Sequence, residues 1–186
     1  MHHGVAGGRL PEHMFDRCQV LGVDPGTAAV GLALVEAPGG GARGASVAWA
    51  TTIRTPPGVP AAERLRTIHR EVRAVIEGNN PAAVALERLM WGRNAANAME
   101  VARASGVIML AAAEGGVPLE EYAPLEVKMA VTGVGNATKD VVRRGLIRLL
   151  GVTGVPEDPD AADAVAVAVC HLQQSRLRRL TRDAVR

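Results

Sequence analysis

The feature that most constrains this fold is a change of hydrophobic period near Pro60. Before that point, apolar residues form short runs that end at Pro- and Gly-rich turns, which is typical of strands. After it, they recur mainly at helical spacing, with two further apolar runs between the helical segments. The predicted strands cover residues 18–23, 30–36, 46–54, 81–86 and 117–122, and the predicted helices cover residues 60–77, 94–114, 124–131, 138–150 and 159–174.

This order of elements predicts an α/β fold. Short turns between the first three strands favour an antiparallel meander, and the strand–helix alternation that follows favours parallel crossovers. The expected result is one five-stranded mixed sheet flanked by helices. We predict one domain over residues 18–174, with a flexible extension over residues 1–17 before it and a basic tail over residues 175–186 after it.

Composition and apolar patterning indicate the cellular compartment in which such a chain functions. No uninterrupted apolar stretch reaches the length of about eighteen residues that suggests a membrane span. The segment before the first strand lacks the apolar core of a signal peptide. Cys18 and Cys170 have apolar neighbours, which indicates reduced thiols in an intracellular, cytoplasmic protein. A net charge of +2 permits a nucleic-acid partner without requiring one.

Four carboxylates stand at positions where α/β proteins commonly build sites. Asp24 ends the first apolar strand, and Glu87 follows the fourth. Asp160 and Asp163 are three residues apart at the start of the last helix, so they share one helix face. Each also has an ordinary explanation, because Asp24 suits a turn, Glu87 suits a solvated strand end, and Asp160 complements the helix dipole.

Asp163 has the weakest ordinary explanation. Its helical neighbours are Ala166, Val167 and Cys170, which form the apolar stripe of the helix and offer no cation. A carboxylate on such a stripe is costly unless a cation reaches it from elsewhere, and a metal ion is the obvious candidate.

If the four carboxylates converge, their mutual repulsion raises some of their pKa values in the metal-free site. Mg²⁺ or Mn²⁺ would relieve this repulsion, because both ions prefer oxygen ligands. Two such ions about 3.5–4 Å apart suit in-line displacement at a phosphate, where one activates water and the other stabilises the leaving oxygen. The hypothesis is therefore a two-metal centre that hydrolyses phosphodiesters.

The acidic residues belong to longer strings that resemble the RuvC family of Holliday-junction resolvases, in the family's own order and over residues 20–172. The strings are Val20-Leu-Gly-Val-Asp-Pro-Gly-Thr27, Ala85-Leu-Glu87, Glu126-Val-Lys-Met-Ala-Val-Thr-Gly-Val-Gly135 and Asp160-Ala-Ala-Asp163. The resemblance implies a ribonuclease-H-like fold with Asp24, Glu87, Asp160 and Asp163 as the metal-binding tetrad. It also implies a homodimer that works with the branch-migration proteins RuvA and RuvB.

Two lysines match family lysines that approach DNA phosphates and the active site. Lys128 and Lys139 are also the only lysines of the chain, since every other cationic side chain of the Lys and Arg type is arginine. A compact ammonium and a guanidinium are not interchangeable close to a phosphate, so their retention favours a functional role over chance. The Gly-rich loop between them, which contains Asn136, is a candidate for contact with the DNA backbone.

The sequence departs from the family just after Glu87. The family commonly has an aromatic wedge three positions after this glutamate, where Met90 stands, and Trp91 follows. We hypothesise that Met90, Trp91 or both touch unpaired junction bases. Arg88 and Arg93 are candidates for phosphate contacts, although solvated surface explains them equally well.

The predicted activity is metal-dependent hydrolysis that places two symmetric nicks in a four-way DNA junction during recombination and repair, with Lys128 or Lys139 offsetting charge on the phosphate. Three other classes remain open. Asp-Pro-Gly-Thr also resembles the phosphate loop of the actin, Hsp70 and sugar-kinase class, although those proteins need two such domains. A non-catalytic DNA-binding module and a nuclease for RNA or RNA–DNA hybrids complete the alternatives.

Overall fold

Three consecutive strands form the antiparallel part of the sheet. A computed structural model of the protein describes residues 17–26, 28–89 and 95–184. In it, β1 (Arg17–Asp24) pairs with β2 (Ala29–Pro38), and β2 pairs with β3 (Ser46–Arg54), both antiparallel. The predicted meander is confirmed. Most of the predicted N-terminal extension lies outside the described residues, but Arg17 belongs to β1 rather than to that extension.

Two later strands complete the sheet on the other side of β1. β4 (Ala83–Glu87) and β5 (Leu119–Tyr122) are both parallel, and the order across the sheet is β3-β2-β1-β4-β5. β1 and β4 therefore run side by side in the interior of the sheet, which is mixed and five-stranded as predicted. Their carboxyl ends lie at one edge, the usual location of sites in such sheets.

Helices cover both faces of the sheet. The apolar stripes of α1 (Ala61–Asn79) and α2 (Ala95–Glu114) pack on one face, where the cluster includes Ile68, Val72 and Ile108. α3 (Pro124–Thr132), α4 (Lys139–Arg148) and α5 (Pro159–Ala184) share the core on the opposite face. Within the described ranges, no helix is long and apolar enough to cross a membrane.

Two glycines let α5 lie directly against the sheet. A Cβ atom added to Gly22 of β1 would lie 2.0 Å from the backbone oxygen of Ala164, and one added to Gly31 of β2 would lie 2.0 Å from that of Asp160. Only a residue without a Cβ fits at either contact. The first turns of α5 are thereby fixed over β1 and β2, next to the edge at which β1 ends.

The start of α5 is also held by a cap. Asp158 Oδ1 accepts hydrogen bonds from the backbone N–H groups of Asp160 at 3.0 Å and Ala161 at 3.3 Å. Thr52 Oγ1 donates to the same oxygen at 2.9 Å, and Arg54 pairs with Oδ2 at 2.7 Å. These hydrogen bonds lower the pKa of the Asp158 carboxyl, and the bond from Thr52 contributes most. β3 thus anchors the helix end that carries Asp160 and Asp163.

The predicted end of α5 was wrong. The sequence pattern ended this helix at residue 174 and assigned residues 175–186 to a basic tail, but α5 continues through Ala184. Loss of the apolar stripe does not end a helix by itself, because Arg and Leu, which dominate this stretch, are strong helix formers. Since no glycine or proline follows residue 174, nothing in the sequence stops the helix there.

Candidate functional site

Asp24 and Glu87 come together because their strands are neighbours in register. Val23 pairs with Leu86, so the two carboxylates are the next residues on adjacent parallel strands, which lie about 4.8 Å apart. Side chains alternate along a strand, and Ala85, two residues before Glu87, packs in the core shared with α5. Asp24 lies two residues after Gly22, which contacts α5, so its side chain is also on the α5 face of the sheet.

Asp163 reaches the same place from α5. Asp24, Glu87 and Asp163 line one cleft of about 260 Å³, defined here as the acidic cleft. Asp160 lies beside the cleft rather than in its lining, close enough for its charge to act on Asp24. The structure therefore brings three of the four predicted carboxylates into one cleft and the fourth to its margin. The remaining lining residues are Pro124, Val127, Lys128, Lys139, Val142 and Ala166.

The carboxyls of Asp24 and Glu87 are hydrogen-bonded to each other. Burial is the main cause of a raised pKa at both, about 6 for Asp24 and about 8 for Glu87. The charge of Asp163 raises the pKa of Asp24 further, and that of Asp24 raises the pKa of Glu87. At neutral pH, Glu87 is the protonated partner and donates to Asp24. The predicted repulsion is present, but removal from water contributes more.

The cation that Asp163 needs is supplied by α4. Lys139 Nζ lies 2.5 Å from Asp163 Oδ2, and this hydrogen bond raises the pKa of the Lys139 ammonium. Thr138 caps α4 through the backbone N–H of Val141, which sets Lys139 in the first turn, facing the cleft. Lys128 of α3 lines the same cleft. Both lysines that the sequence singled out therefore border the carboxylates.

The donor set suits a hard divalent cation, because the potential ligands in the acidic cleft are carboxyl oxygens. Among the residues that the structure describes, no three His, Cys, Asp or Glu side chains are grouped closely enough to hold a metal ion. The Asp163 carboxylate is paired with the Lys139 ammonium, and the Asp24 carboxyl is hydrogen-bonded to Glu87. The carboxylates are thus assembled at one cleft but not closed around a common point.

The other predicted DNA contacts have mixed outcomes. Arg88 follows Glu87, is exposed, and lies 3.8 Å from Glu126. Asn136 is exposed in the loop between α3 and α4. Met90, Trp91 and Arg93 lie outside the described residues.

Sequence reasoning missed one buried polar contact. The Tyr122 hydroxyl lies 2.9 Å from His171 Nδ1 and 2.9 Å from Glu120 Oε2, which ties the end of β5 to α5. Tyr122 is followed by Ala123, whose N–H donates to Glu126 at the start of α3, the helix that carries Lys128. The only sequence signal was a lone tyrosine at the end of a predicted strand, which does not identify its partner on α5.

Comparison with known proteins gives a consistent result. A family model, crossover junction endodeoxyribonuclease RuvC, matches residues 20–171. The crossover junction endodeoxyribonuclease RuvC of Moorella thermoacetica is 48% identical over 152 residues, which cover 82% of this chain and 89% of that protein. The solved structure of T. thermophilus RuvC in complex with Holliday junction substrate is similar with a TM-score of 0.79 and 35% identity, covering 87% of this chain and 96% of that one.

A more distant structure shares the fold alone. The yeast mitochondrial Holliday junction resolvase Ydc2 is 14% identical, with a TM-score of 0.61 over 86% of this chain and 82% of that one. The mixed sheet flanked by helices is therefore the ribonuclease-H-like α/β fold that the sequence resemblance implied.

Proposed function

This chain belongs to the RuvC family of crossover junction endodeoxyribonucleases, and we propose that the acidic cleft is the centre with which it cuts four-way DNA junctions. Membership makes it a metal-dependent nuclease of DNA recombination and repair. The observation that carries the proposal is the meeting of Asp24, Glu87 and Asp163 with two lysines in one cleft at the sheet edge. The T. thermophilus relative, solved with Holliday junction substrate, supports the choice of DNA.

Divalent ions would be held by Asp24, Glu87 and Asp163, with Asp160 joining from the margin of the cleft. We propose Mg²⁺ or Mn²⁺, two per site, which when bound lower the pKa of water and stabilise the leaving oxygen of the phosphate. Metal binding requires two of these carboxyl side chains to change partners. Glu87 gives up its proton, and Asp163 exchanges the Lys139 ammonium for an ion.

The two lysines then act on the DNA. Once released from Asp163, the Lys139 ammonium is free to offset charge that develops on the scissile phosphate, and Lys128 faces the same space from α3. Arg88, which follows Glu87, and Asn136, in the loop before Lys139, are exposed and are proposed to contact the backbone of the junction. Met90, Trp91 and Arg93 remain predicted DNA contacts on the basis of sequence alone.

A homodimer suits a substrate with two equivalent cut sites, and we propose that α2 contributes to its interface. One face of α2 packs on the sheet through Ala104, Ile108 and Ala111. Its other side leaves large apolar side chains exposed, with Met99 and Leu110 both at 50%. Paired nicks then follow from two identical sites. Cooperation with RuvA and RuvB and a cytoplasmic location are part of the same proposal, on the strength of the family alone.

The proposed function is tested by cleavage of a synthetic four-way junction, beside linear duplex of the same sequence and an RNA–DNA hybrid. The protein is expected to cut only the junction, at two symmetric positions, in Mg²⁺ or Mn²⁺ and not in EDTA. Preferential cutting of the hybrid would replace the proposal with the ribonuclease alternative. Junction binding without cleavage in either metal would leave a non-catalytic module.

A further inference from the structure

A series of arginines leads away from the acidic cleft along α4. α4 begins at Lys139 in the cleft and ends at Arg148. Arg144 and Arg148 line a groove of about 350 Å³ on its exposed side. The chain then passes through Leu149 to Leu150, which lines a second hollow of about 410 Å³ together with Arg43 and Arg176. We call Arg144, Arg148, Arg43 and Arg176 the arginine track.

Within the part of the chain that the structure describes, no carboxylate neutralises the charges of the track. Among the described residues, none of the four arginines forms an ion pair, and neither the groove nor the hollow has an acidic residue in its lining. Arg144 donates through Nε to the carbonyl of Asp140, a contact that leaves its charge uncompensated by any carboxylate. Four guanidinium groups that face solvent in two adjoining hollows suit a polyanion.

Helix stability explains the pair on α4 only in part: Asp140 stands four residues before Arg144, a favourable spacing, but among the described residues no ion pair joins the two side chains. Arg144 and Arg148 are both exposed and lie four residues apart on one helix face, where like charges destabilise a helix. Arg148 complements the dipole at the helix C-terminus, but Arg144 is too far from that end to do so.

We infer that the arginine track binds the phosphate backbone of a duplex arm as it leaves the cleft. This inference rests on the proposed function, because α4, which carries Arg144 and Arg148, begins at Lys139, where that function places the scissile phosphate. α4 spans about 15 Å, and α5 from Asp163 to Arg176 spans about 20 Å. At about 3.4 Å per nucleotide of one strand, Arg144 and Arg148, about 7.5 and 13.5 Å from Lys139, meet phosphates roughly two to four base pairs from the cut, and Arg176 meets one roughly six away.

The direct test is junction binding by the double variant Arg144→Gln/Arg148→Gln in EDTA, which prevents cleavage. Gln matches Arg in helix propensity, and both sites are exposed, so the variant is expected to fold. The matched control is Arg66→Gln/Arg70→Gln, an exposed pair with the same spacing on α1, on the other face of the sheet. Affinity is measured by fluorescence anisotropy between 50 and 200 mM salt.

Loss of two phosphate contacts in each subunit, four in the proposed dimer, reduces the slope of log affinity against log salt by about 3.6. Over this salt range, the wild type and the control are therefore expected to lose on the order of 100-fold more affinity than the α4 variant. A second arm uses junctions with neutral methylphosphonates two to four base pairs from the cut in all four arms. These should weaken the wild type and leave the α4 variant nearly unaffected.

Equal salt slopes for the α4 variant and the control would overturn the inference. The groove on α4 would then be assigned to a protein partner. Equal weakening of the wild type and the α4 variant by the methylphosphonates would overturn it too. If the wild type itself does not bind the junction, the proposed function is wrong, and the inference that rests on it is wrong as well.

Discussion

Glu87→Gln is expected to abolish cleavage while stabilising the metal-free protein. The substitution removes a proposed metal ligand, and losing several kcal/mol of transition-state stabilisation lowers the rate by about 10³-fold or more. The same change replaces a carboxyl that burial and the Asp24 charge make costly to ionise, with a pKa of about 8. Function and stability should therefore change in opposite directions.

The stability gain depends on pH. The carboxyl has a pKa of 4.5 as its ordinary value and about 8 in the folded protein, so between these values the native state holds a proton that the unfolded chain has lost. Stability of the wild type consequently falls as pH rises through this window. At pH 8, removal of the charge should raise the free energy of unfolding by on the order of 2 kcal/mol, allowing for partial exposure, and Tm by about 4–8 °C.

Thermal unfolding in EDTA at pH 5 and pH 8 measures this effect, with single-turnover junction cleavage in Mg²⁺ beside it. Glu121→Gln is the matched control, because Glu121 is exposed on the neighbouring strand β5, opposite Leu86. The control should keep both activity and stability. A Glu87→Gln protein that is less stable than the wild type at pH 8, or still active, would contradict the assignment.

Gly22→Ala is expected to destabilise the protein and impair cleavage together, although Gly22 touches no substrate. The added Cβ would lie 2.0 Å from the Ala164 carbonyl oxygen, a backbone atom that moves only if α5 moves. Overpacking of this kind costs about 3 kcal/mol, or roughly 6–12 °C in Tm. Because α5 carries Asp160 and Asp163, displacement by about 1 Å should also cost about 10²-fold in rate.

Gly78→Ala is the control for the loss of glycine flexibility. Gly78 lies in α1, and a Cβ added there meets nothing within 4 Å. That change should stabilise the protein by about 0.4–1 kcal/mol and leave cleavage unaltered. Unfolding by urea and cleavage of the junction are compared for both variants. Equal stability of the two alanine variants would mean that α5 is not seated on β1 as described.

Local patterns predicted the sheet and much of the cleft. Apolar runs that end at Asp24 and Glu87 were sufficient to place both carboxylates at strand ends, and the parallel register of β1 and β4 then brings them side by side. The three-residue spacing of Asp160 and Asp163 correctly predicted a shared helix. The glycine in β1 gave no such signal, because a close approach by α5 is visible only once the helix is seated.

What the sequence did not predict depends on contacts between distant elements. The apolar neighbours of Asp163 indicated that a cation must reach it, but not that Lys139 of α4 does so in the metal-free protein. The separate position of Asp160 has the same origin, since the side chains on one helix face need not enter the same cleft. The extent of α5 beyond residue 174 was missed because the pattern follows burial, and helices continue without it.

The most direct test of the account is Mn²⁺ binding by calorimetry, for the wild type, Asp163→Asn and the control Asp140→Asn. Asp140 is an exposed carboxylate on α4 that lies next to Lys139 but does not line the acidic cleft. The account predicts that the wild type and the control bind Mn²⁺ alike, with affinity that rises as pH increases toward 8, while Asp163→Asn loses most of it. Unchanged Mn²⁺ affinity in Asp163→Asn would contradict the claim that the acidic cleft is the metal centre.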